Sequence, residues 1–262
     1  IGLVGSEMCI RDRYDEDLHV AAVGGEATMI RQAENLREEK SHSVSLSADM
    51  YRRFGAFQCN LLLEGFYTRL NHVFVLEEIG KDEEHNAVIK ERRNGQGAEV
   101  AGVTVEGKVA YLSLVQLQAG VTWQKSHYTR PEKWSKDSSV PAEKRIFRTP
   151  DWYGYFTATY SPVKPLNIAL SGTYTGSMIV QHMKGYIPKD IAVTTPDFFD
   201  MNLKISYDFS LYKFITLQLN AGIQNIFNAY QRDFDQGKER DSGYIYGPSM
   251  PRSYFAGAKL MF

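Results

Sequence analysis

The stretch Phe199–Phe209 reads FDMNLKISYDF and alternates apolar with polar residues at every position. One set of alternate positions holds Phe, Met, Leu, Ile, Tyr and Phe, and the other holds Asp, Asn, Lys, Ser and Asp. Successive side chains of a β-strand point to opposite faces of the sheet. The alternation therefore predicts a strand with one apolar face and one polar face.

The same period recurs along the chain and predicts an all-β protein, folded as an antiparallel up-and-down meander. About nine long strands of roughly 9–12 residues are predicted, with a tenth ending near Val23. The predicted strands are Ser43–Met50, Phe57–Thr68, Gly102–Tyr111, Val115–Gln124, Trp152–Tyr160, Leu166–Thr175, Phe199–Phe209, Ile215–Gln224 and Tyr254–Phe262.

Strand length indicates that this meander crosses a membrane. A strand of about 11 residues, at ~3.3 Å per residue and tilted by ~40°, spans the ~25 Å apolar band of an outer membrane. The average globular strand has only about 5–6 residues. A soluble β-sandwich or lipocalin-like barrel would also alternate apolar and polar residues, so it stays an alternative.

The connections between the strands support the membrane interpretation because short and long ones alternate. The short connections lie around Phe54–Ala56, Leu112–Ser113, Ser161–Pro165 and Ser210–Lys213, and the long ones cover about Asn71–Gln96, Ser126–Pro150, Ile179–Asp197 and Ile226–Met250. Short turns at one end and long loops at the other are typical of outer-membrane barrels. The long connections show no pattern of their own, and the charged run Glu77–Arg93 is expected to be a solvated face.

Composition excludes several classes of function. The 262 residues are 43% hydrophobic and 23% charged with a net charge of −1, which fits a folded protein and gives no reason to expect a nucleic-acid partner. Cys9, Cys59 and the six histidines have no metal-ligand spacing, so no metal site and no cofactor are predicted. No nucleophile elbow and no phosphate-binding glycine loop is present in the sequence, so the chain is not expected to be an enzyme.

Two stretches near the end of the chain resemble motifs of TonB-dependent outer-membrane receptors. Asn225–Tyr230, NIFNAY, is similar to the Asn-Leu-Phe-Asp-x-x-Tyr signature that follows the penultimate strand in that family. Pro251–Tyr254, followed by the terminal Phe262, is similar to its closing strand. The resemblance is to the C-terminal β-barrel portion of such receptors, of the kind common in Bacteroidetes-like bacteria.

Two earlier stretches resemble the same family. Ala33–Glu39 is similar to its Ala-x-Asn-Leu-Lys-Pro-Glu entry into a downward strand, with Glu38 where Pro is usual. Gly102–Glu106 is similar to its Gly-Val-Glu-Leu-Glu run, with Thr104 in place of an acidic residue. Together the motifs cover roughly Ala21 to Phe262.

The resemblance implies a fold, a function and a location. The fold would be the C-terminal part of a transmembrane β-barrel of about 22 strands, whose lumen holds an N-terminal plug domain. The function would be active uptake of a scarce, bulky nutrient such as a ferric siderophore, haem, cobalamin or an oligosaccharide, at the bacterial outer membrane. Implied partners are outer-membrane lipid, the plug domain, the energy-coupling protein TonB, the barrel-assembly machinery and a small-molecule substrate. A passive porin or an adhesin-like barrel is the alternative.

The chain divides into two expected parts. Residues 1–13 show neither a strand nor a helix period and resemble translated adapter sequence, so they are expected to be non-native or disordered. Residues 14–262 are expected to form a partial outer-membrane β-barrel domain, an open curved sheet whose plug and first strands belong to a longer protein. That expectation also rests on the missing initiator Met and signal peptide.

The long loops hold the candidate ligand contacts, because aromatic rings and guanidinium groups suit sugars, catechols and carboxylates. The predicted substrate contacts are Tyr128, Arg130, Trp134, Tyr230, Arg232, Phe234, Arg240, Tyr244 and Tyr246. The predicted barrel-closing and assembly residues are Tyr254, Leu260 and Phe262. Asp233, Asp235 and Asp241 have the oxygen ligands that Ca²⁺ prefers, but they lack the glycine-punctuated spacing of a known calcium loop.

Overall fold

The structure, a computed structural model, describes residues 4–11, 21–23, 26–84, 87–248 and 250–262, and in these ranges all regular elements are β-strands. The strands are β1 Val4–Arg11, β2 Ala21–Val23, β3 Glu26–Gln32, β4 Glu39–Phe54, β5 Phe57–Asn71, β6 Phe74–Asp82, β7 Ala87–Asn94, β8 Ala98–Tyr111, β9 Val115–Glu132, β10 Glu143–Arg145, β11 Trp152–Val163, β12 Leu166–Thr175, β13 Ile179–His182, β14 Ile191–Thr194, β15 Phe198–Tyr212, β16 Ile215–Gln224 and β17 Ser253–Met261. Within the same ranges, no helix is long and apolar enough to cross a membrane.

One large sheet dominates the molecule. Its strand order is β1-β4-β5-β8-β9-β11-β12-β15-β16-β17, with β10 paired to β9 outside this path. All of its neighbouring strands are antiparallel. From β4 onward, the strands on this path are the nine predicted from the alternation, so the predicted meander is confirmed. The sheet stays open between β1 and β17, and the barrel is not closed.

Two details near the start of the chain differ from expectation. The strand predicted to end near Val23 exists as β2, but it pairs with β3 in a separate sheet and does not belong to the large sheet. The backbone of Val4–Arg11 lies beside β4, from Val4 opposite Leu46 to Arg11 opposite Glu39, although its sequence lacks a strand period. Strand pairing does not reveal the origin of a segment, so the foreign nature of residues 1–13 stays a prediction.

Connection lengths place all short turns at one end of the sheet and all long loops at the other. Gly55, at φ 59°, makes the tight β4–β5 turn in a conformation that L side chains rarely adopt. The strands reach different heights at the loop end, because β9 has 18 residues in total and β16 has 10. At ~3.3 Å per residue and ~40° tilt, these lengths correspond to axial rises of about 45 Å and 25 Å. The longest strands therefore extend beyond an apolar band of membrane thickness, on the side of the loops.

The large sheet has its apolar face outward and its polar face sheltered. Thr104, Thr122 and Tyr153 are direct neighbours on the inner face, and Thr122 is 6% exposed. Directly beside them on the outer face, Trp123 lies opposite Trp152 and is 40% exposed. The outer face also exposes Val44, Leu46, Leu63, Val105, Leu117, Val121, Phe199, Ile205 and Leu219. Soluble proteins bury such residues, so this face requires an apolar environment.

Two smaller sheets include strands from the long connections, where no strands were predicted. β6 and β7 form a hairpin, and β7 also pairs in parallel with β3. The long connection Asn71–Gln96, which was expected to show no pattern of its own, therefore contains a hairpin, and the second partner of β7 is far away in sequence. The expected solvated face is only partly present: Arg93 pairs with Glu77 at 2.5 Å and both are exposed, whereas Arg92 is buried. In a later connection, β13 and β14 form a second short hairpin.

Candidate functional site

Three long connections meet above the sheet and form a packed unit, here called the loop cluster. It comprises the 133–151 loop, the 176–197 loop with its β13–β14 hairpin, and the 225–252 loop. Met178, Val180 and Tyr244 form its buried centre, with Val193 and Tyr246 packed against them. Val180 is 0% exposed, whereas most large apolar side chains of the sheet are exposed. The loop cluster therefore has a core of its own.

Polar contacts tie the first of these loops to the third. Arg148, in the left-handed region at φ 60°, directs its guanidinium at the 225–252 loop. One guanidinium nitrogen donates to the backbone oxygen of Ile245 at 2.7 Å, and the other donates to the backbone oxygen of Gly243. The backbone segment from residue 243 to residue 245 is thus held from outside its own loop.

The stretch Asn225–Tyr230 fastens the base of the 225–252 loop. Asn225 donates from Nδ2 to the backbone oxygens of Ala229 and Met250, both at 3.0 Å, while its Oδ1 accepts from the N–H of Ala229 at 2.8 Å. Asn228 accepts from the N–H of Arg252 at 2.9 Å. Both asparagines have positive φ (51° and 56°), which Asn tolerates better than most residues. The two ends of the loop are therefore joined at the rim of the sheet.

Inside this loop, two tyrosines share one carboxylate. Tyr246 donates from its hydroxyl to Oδ1 of Asp233 at 2.6 Å, and Tyr244 donates to Oδ2 at 2.8 Å. Gln231, which is 1% exposed, accepts from the N–H of Tyr246 at 2.9 Å and donates to the backbone oxygen of Tyr244 at 3.0 Å. The side chains and the backbone of the two tyrosines are thus fixed from two sides.

These contacts shift the acidity of the groups involved. Burial and then the bond to Asp233 raise the pKa of Tyr246 to about 12 and raise the pKa of Tyr244 even further. Burial alone would raise the pKa of Asp233, but the hydrogen bonds from Tyr246 and Tyr244 outweigh it and leave that pKa below its ordinary value. The carboxylate form of Asp233 and the neutral tyrosines are thereby favoured together.

The inner face of the sheet carries a second polar group, nearer the short turns. Tyr155 donates to Glu106 at 2.5 Å, and Gln118 donates to the hydroxyl oxygen of Tyr155 at 2.8 Å. The Lys108 ammonium lies 3.0 Å from the other oxygen of Glu106. A concavity of about 300 Å³ lies beside this network and is lined partly by Gln118 and Lys108. The inner face can therefore bind polar surfaces or water.

The sequence matches the family described as "TonB dependent receptor-like, beta-barrel" over residues 11–226. The chain belongs to this family. It is an outer-membrane family of Gram-negative bacteria, whose receptors bind small molecules such as siderophores and interact with TonB. Family and fold are those of transport receptors and not of enzymes. No curated protein showed significant similarity to the chain.

Solved receptors share the fold of this receptor barrel at low sequence identity. The ferric-catecholate import receptor Fiu of E. coli K12 is 15% identical, with a TM-score of 0.63, over 98% of this chain and 32% of its own. A variant of the ferric enterobactin receptor PfeA of Pseudomonas aeruginosa is 14% identical, with a TM-score of 0.61, over 98% and 38%. The siderophore receptor PirA of Acinetobacter baumannii is 13% identical, with a TM-score of 0.60, over 99% and 39%. The chain thus spans about a third of the length of these receptors.

The structure separates the predicted substrate contacts of the receptor barrel into two groups. Tyr128 and Arg130 lie within the upper part of β9 and not in the loop where they were predicted, and Trp134 lies just beyond the end of this strand. The indole N–H of Trp134 donates to the backbone oxygen of Pro141 at 3.2 Å, and its ring packs on Phe147. The second group belongs to the 225–252 loop and consists of Tyr230, Arg232, Phe234, Arg240, Tyr244 and Tyr246.

Within the second group, exposure differs greatly. Arg232 is exposed and stacks its guanidinium over the ring of Tyr230 at 5.2 Å, and Arg240 is exposed as well. Phe234 and Tyr246 are half-buried, and Tyr244 is buried in the core of the loop cluster. The arrangement makes Arg232 and Tyr246 accessible side chains and makes Tyr244 a packing residue, while the ligand contacts themselves stay a prediction.

Sequence reasoning missed the residues that hold the loops together. Gln231, His182 and Arg148 gave no signal, since isolated polar residues in a loop usually face solvent. Asp233 and Asp235, considered above as calcium ligands, bind the two tyrosine hydroxyls and His182 instead. Only the asparagine motif at the base of the loop was visible in the sequence, as a resemblance without a stated role.

The predicted closing residues lie on the outer face of β17 or directly beyond it. Tyr254 lies opposite Ile223, and Leu260 lies opposite Leu217. Both are exposed, and Phe262 is exposed as well. Their role in closing and assembling the barrel stays a prediction.

Proposed function

We propose that this chain provides part of the wall and of the outer loops of an active transporter in the bacterial outer membrane. The observation that carries the proposal is the reversed burial of the large sheet, whose apolar side chains are exposed while its polar ones are sheltered. A barrel that separates lipid from a wet lumen requires this arrangement. A soluble domain with a closed apolar core would require the reverse.

Layers on the outer face support contact with lipid. At the loop end of the apolar band, Trp123 and Trp152 form a pair with ring centroids 6.3 Å apart. Two rows beyond them on the same face, the carboxylate of Glu99 lies between Arg69 at 3.7 Å and His127 at 3.8 Å. Aromatic residues followed by charged ones are what an apolar band requires where it meets lipid headgroups. We therefore propose the outer membrane as the location of the chain.

The inner face supports the partners that the family implies. Its Glu106 network has the polar character that a folded plug domain or lumenal water requires. The solved receptors are about three times as long as this chain, which leaves ample length for a plug and for a segment that contacts TonB. The proposed partners are thus lipid, a plug domain, TonB, the barrel-assembly machinery and a small-molecule substrate.

The proposed substrate is a ferric siderophore. Fiu, PfeA and PirA are described as receptors for ferric catecholates, ferric enterobactin and siderophores, and they share the fold. The exposed Arg232 and the nearby ring of Tyr230 have the chemistry that suits an anionic, aromatic catecholate. Haem, cobalamin and oligosaccharides are the other substrates that the test must include.

The decisive experiment measures uptake by cells that express the complete receptor. Iron-limited cells that lack other receptors would receive radiolabelled iron bound to a tris-catecholate, or labelled haem, cobalamin or an oligosaccharide. The expected result is uptake of the ferric catecholate that depends on the receptor gene and on TonB. Uptake that persists without TonB would indicate a passive porin, and no uptake of any probe would favour an adhesin-like barrel.

A single substitution tests the proposed contact with the ligand. Arg232→Ala is expected to weaken binding of the ferric catecholate about tenfold, because it removes both a charge and a cation–π partner. Lys238→Ala, an exposed cation of the same loop, serves as the matched control and should leave affinity unchanged. Equal effects of both substitutions would indicate general electrostatic attraction and would contradict a specific contact at Arg232.

A further inference from the structure

A buried histidine–aspartate pair joins two of the three loops. His182 ends strand β13 in the 176–197 loop, and Asp235 lies in the 225–252 loop. Nε2 of His182 is 2.9 Å from Oδ2 and 3.1 Å from Oδ1 of Asp235, and the two side chains are only 8% and 2% exposed. A carboxylate only accepts hydrogen bonds, so Nε2 carries the proton and donates it.

Residues next to this pair make further hydrogen bonds between the same two loops. The next residue, Met183, donates its N–H to Oδ2 of Asp241 at 2.8 Å, and the N–H of Asp241 donates to Oδ2 of Asp235 at 2.9 Å. The His182 ring also stacks on Tyr244, with centroids 3.7 Å apart and planes at 8°. Two residues of one loop therefore bind two aspartates of the other.

We propose that His182 and Asp235 form a clasp that makes the 176–197 and 225–252 loops open and close as one unit. The clasp is a property of the loop contacts themselves, and its use in covering a substrate rests on the proposed function. Removing Asp235 leaves the buried Nε2–H of His182 without its acceptor, and removing His182 takes the charge-assisted donor from the buried Asp235 carboxylate, which keeps the N–H of Asp241. Either loss is far more unfavourable than losing an exposed ion pair. Opening at either loop must therefore disturb the other.

Limited proteolysis of the complete receptor in outer-membrane vesicles tests the clasp without any ligand. Trypsin has exposed sites in both loops, after Lys184 and Lys189 in one and after Lys238 and Arg240 in the other. Cleavage through a transiently open state reports the population of that state when closing is fast. Mass spectrometry of the released peptides gives a separate rate for each loop.

The clasp predicts coupled rates. Asp235→Ala and His182→Ala are each expected to speed cleavage in both loops about tenfold or more, because each removes the buried hydrogen bond that joins the two loops. The double variant should be cleaved about as fast as either single variant, since the two substitutions remove the same interaction. His182→Gln keeps an N–H donor and should restore much of the resistance.

The control and the contrary outcomes are equally specific. Ser242→Ala removes an exposed hydroxyl from the same loop without changing a charge beside a trypsin site, and it should leave both rates unchanged. Faster cleavage confined to the loop that carries the substitution, or additive effects in the double variant, would overturn the clasp. Because no ligand is involved, failure of the uptake experiment leaves this result standing, and coupled cleavage says nothing about the substrate.

Discussion

The large sheet, which forms the wall of the barrel, and the loop cluster differ in which side chains they bury. In the wall, Trp123 is exposed on one face while Thr122, its neighbour in sequence, is buried on the other. In the loop cluster, Val180 and Tyr244 are buried together, as in a small soluble domain. The same chain therefore has one region suited to an apolar environment and one suited to water. The border between the two regions lies where the long strands extend beyond the apolar band.

The largest expected difference between these regions comes from a charge placed on the outer face. Leu219→Arg, at the middle of β16 between Tyr207 and Ala258, is expected to destabilise the receptor by about 2–4 kcal/mol in lipid. Asn220→Arg places the same side chain on the inner face and should change stability by less than about 1 kcal/mol. Unfolding of the complete receptor by denaturant in lipid vesicles measures both, and equal losses would contradict the lipid-facing assignment.

A buried amide provides the next test, because the two regions differ in access to water. Gln231→Leu leaves the N–H of Tyr246 and the backbone oxygen of Tyr244 without their partner, at a cost of about 1–3 kcal/mol for each group. Gln118→Leu, on the wet inner face, should cost about 1 kcal/mol or less because water replaces the amide. Hydrogen exchange of loop and wall amides measures the local opening free energies. A similar loss of opening free energy in the two variants would contradict the difference in water access between the loop cluster and the inner face.

Truncating a valine compares packing in the two regions. Val180→Ala creates a cavity in the loop core and is expected to weaken the cluster by about 2 kcal/mol. Val121→Ala, on the outer face, should cost less than about 0.5 kcal/mol, because mobile lipid chains fill the space. Hydrogen exchange of β13 after the first substitution, and unfolding in vesicles after the second, provide the measurements. An undiminished protection of β13 would mean that the loop core adds little stability.

The smallest expected effect is a response of the loop cluster to pH. Tyr246 has a pKa raised to about 12, so its contribution to stability is complete below pH about 10 and is lost as pH rises through about 12. Asp233 has a lowered pKa, so its contribution is present above pH about 4 and is lost as pH falls through the value in the folded protein. Tyrosinate absorbance should change in the basic window and the near-UV circular dichroism of the loop tyrosines in both windows, with no change at neutral pH. Asp233→Asn should bring the tyrosine titration back towards its ordinary range.

The wall could be predicted from the sequence because its signal is local. In Phe199–Phe209, the polarity of each residue indicates which face of the sheet it occupies. By the same criterion, β16 was predicted with both of its ends correct. β8 and β9 were predicted too short at their loop ends, since the residues above the apolar band no longer alternate strictly, and β4 was predicted too short at both ends. The predictable part of the fold is thus the part that the membrane constrains.

The loop cluster could not be predicted in the same way because its contacts are non-local. Asp235 meets His182 across 53 residues, and Arg148 meets Gly243 across 95 residues. Nothing in the local sequence distinguishes these residues from solvated loop residues. Of the predicted ligand contacts, Tyr244 illustrates the limit: an aromatic residue in a loop can equally be the core of that loop.

The asparagine contacts at the base of the 225–252 loop have an evolutionary consequence. Asn225 and Asn228 hold the first and last residues of the loop together, independently of the residues between them. A segment whose two ends are fixed side by side can change its interior, or even its length, without disturbing the strands that carry it. The barrel thereby presents an exchangeable cassette, in which new specificities can arise while the scaffold stays constant.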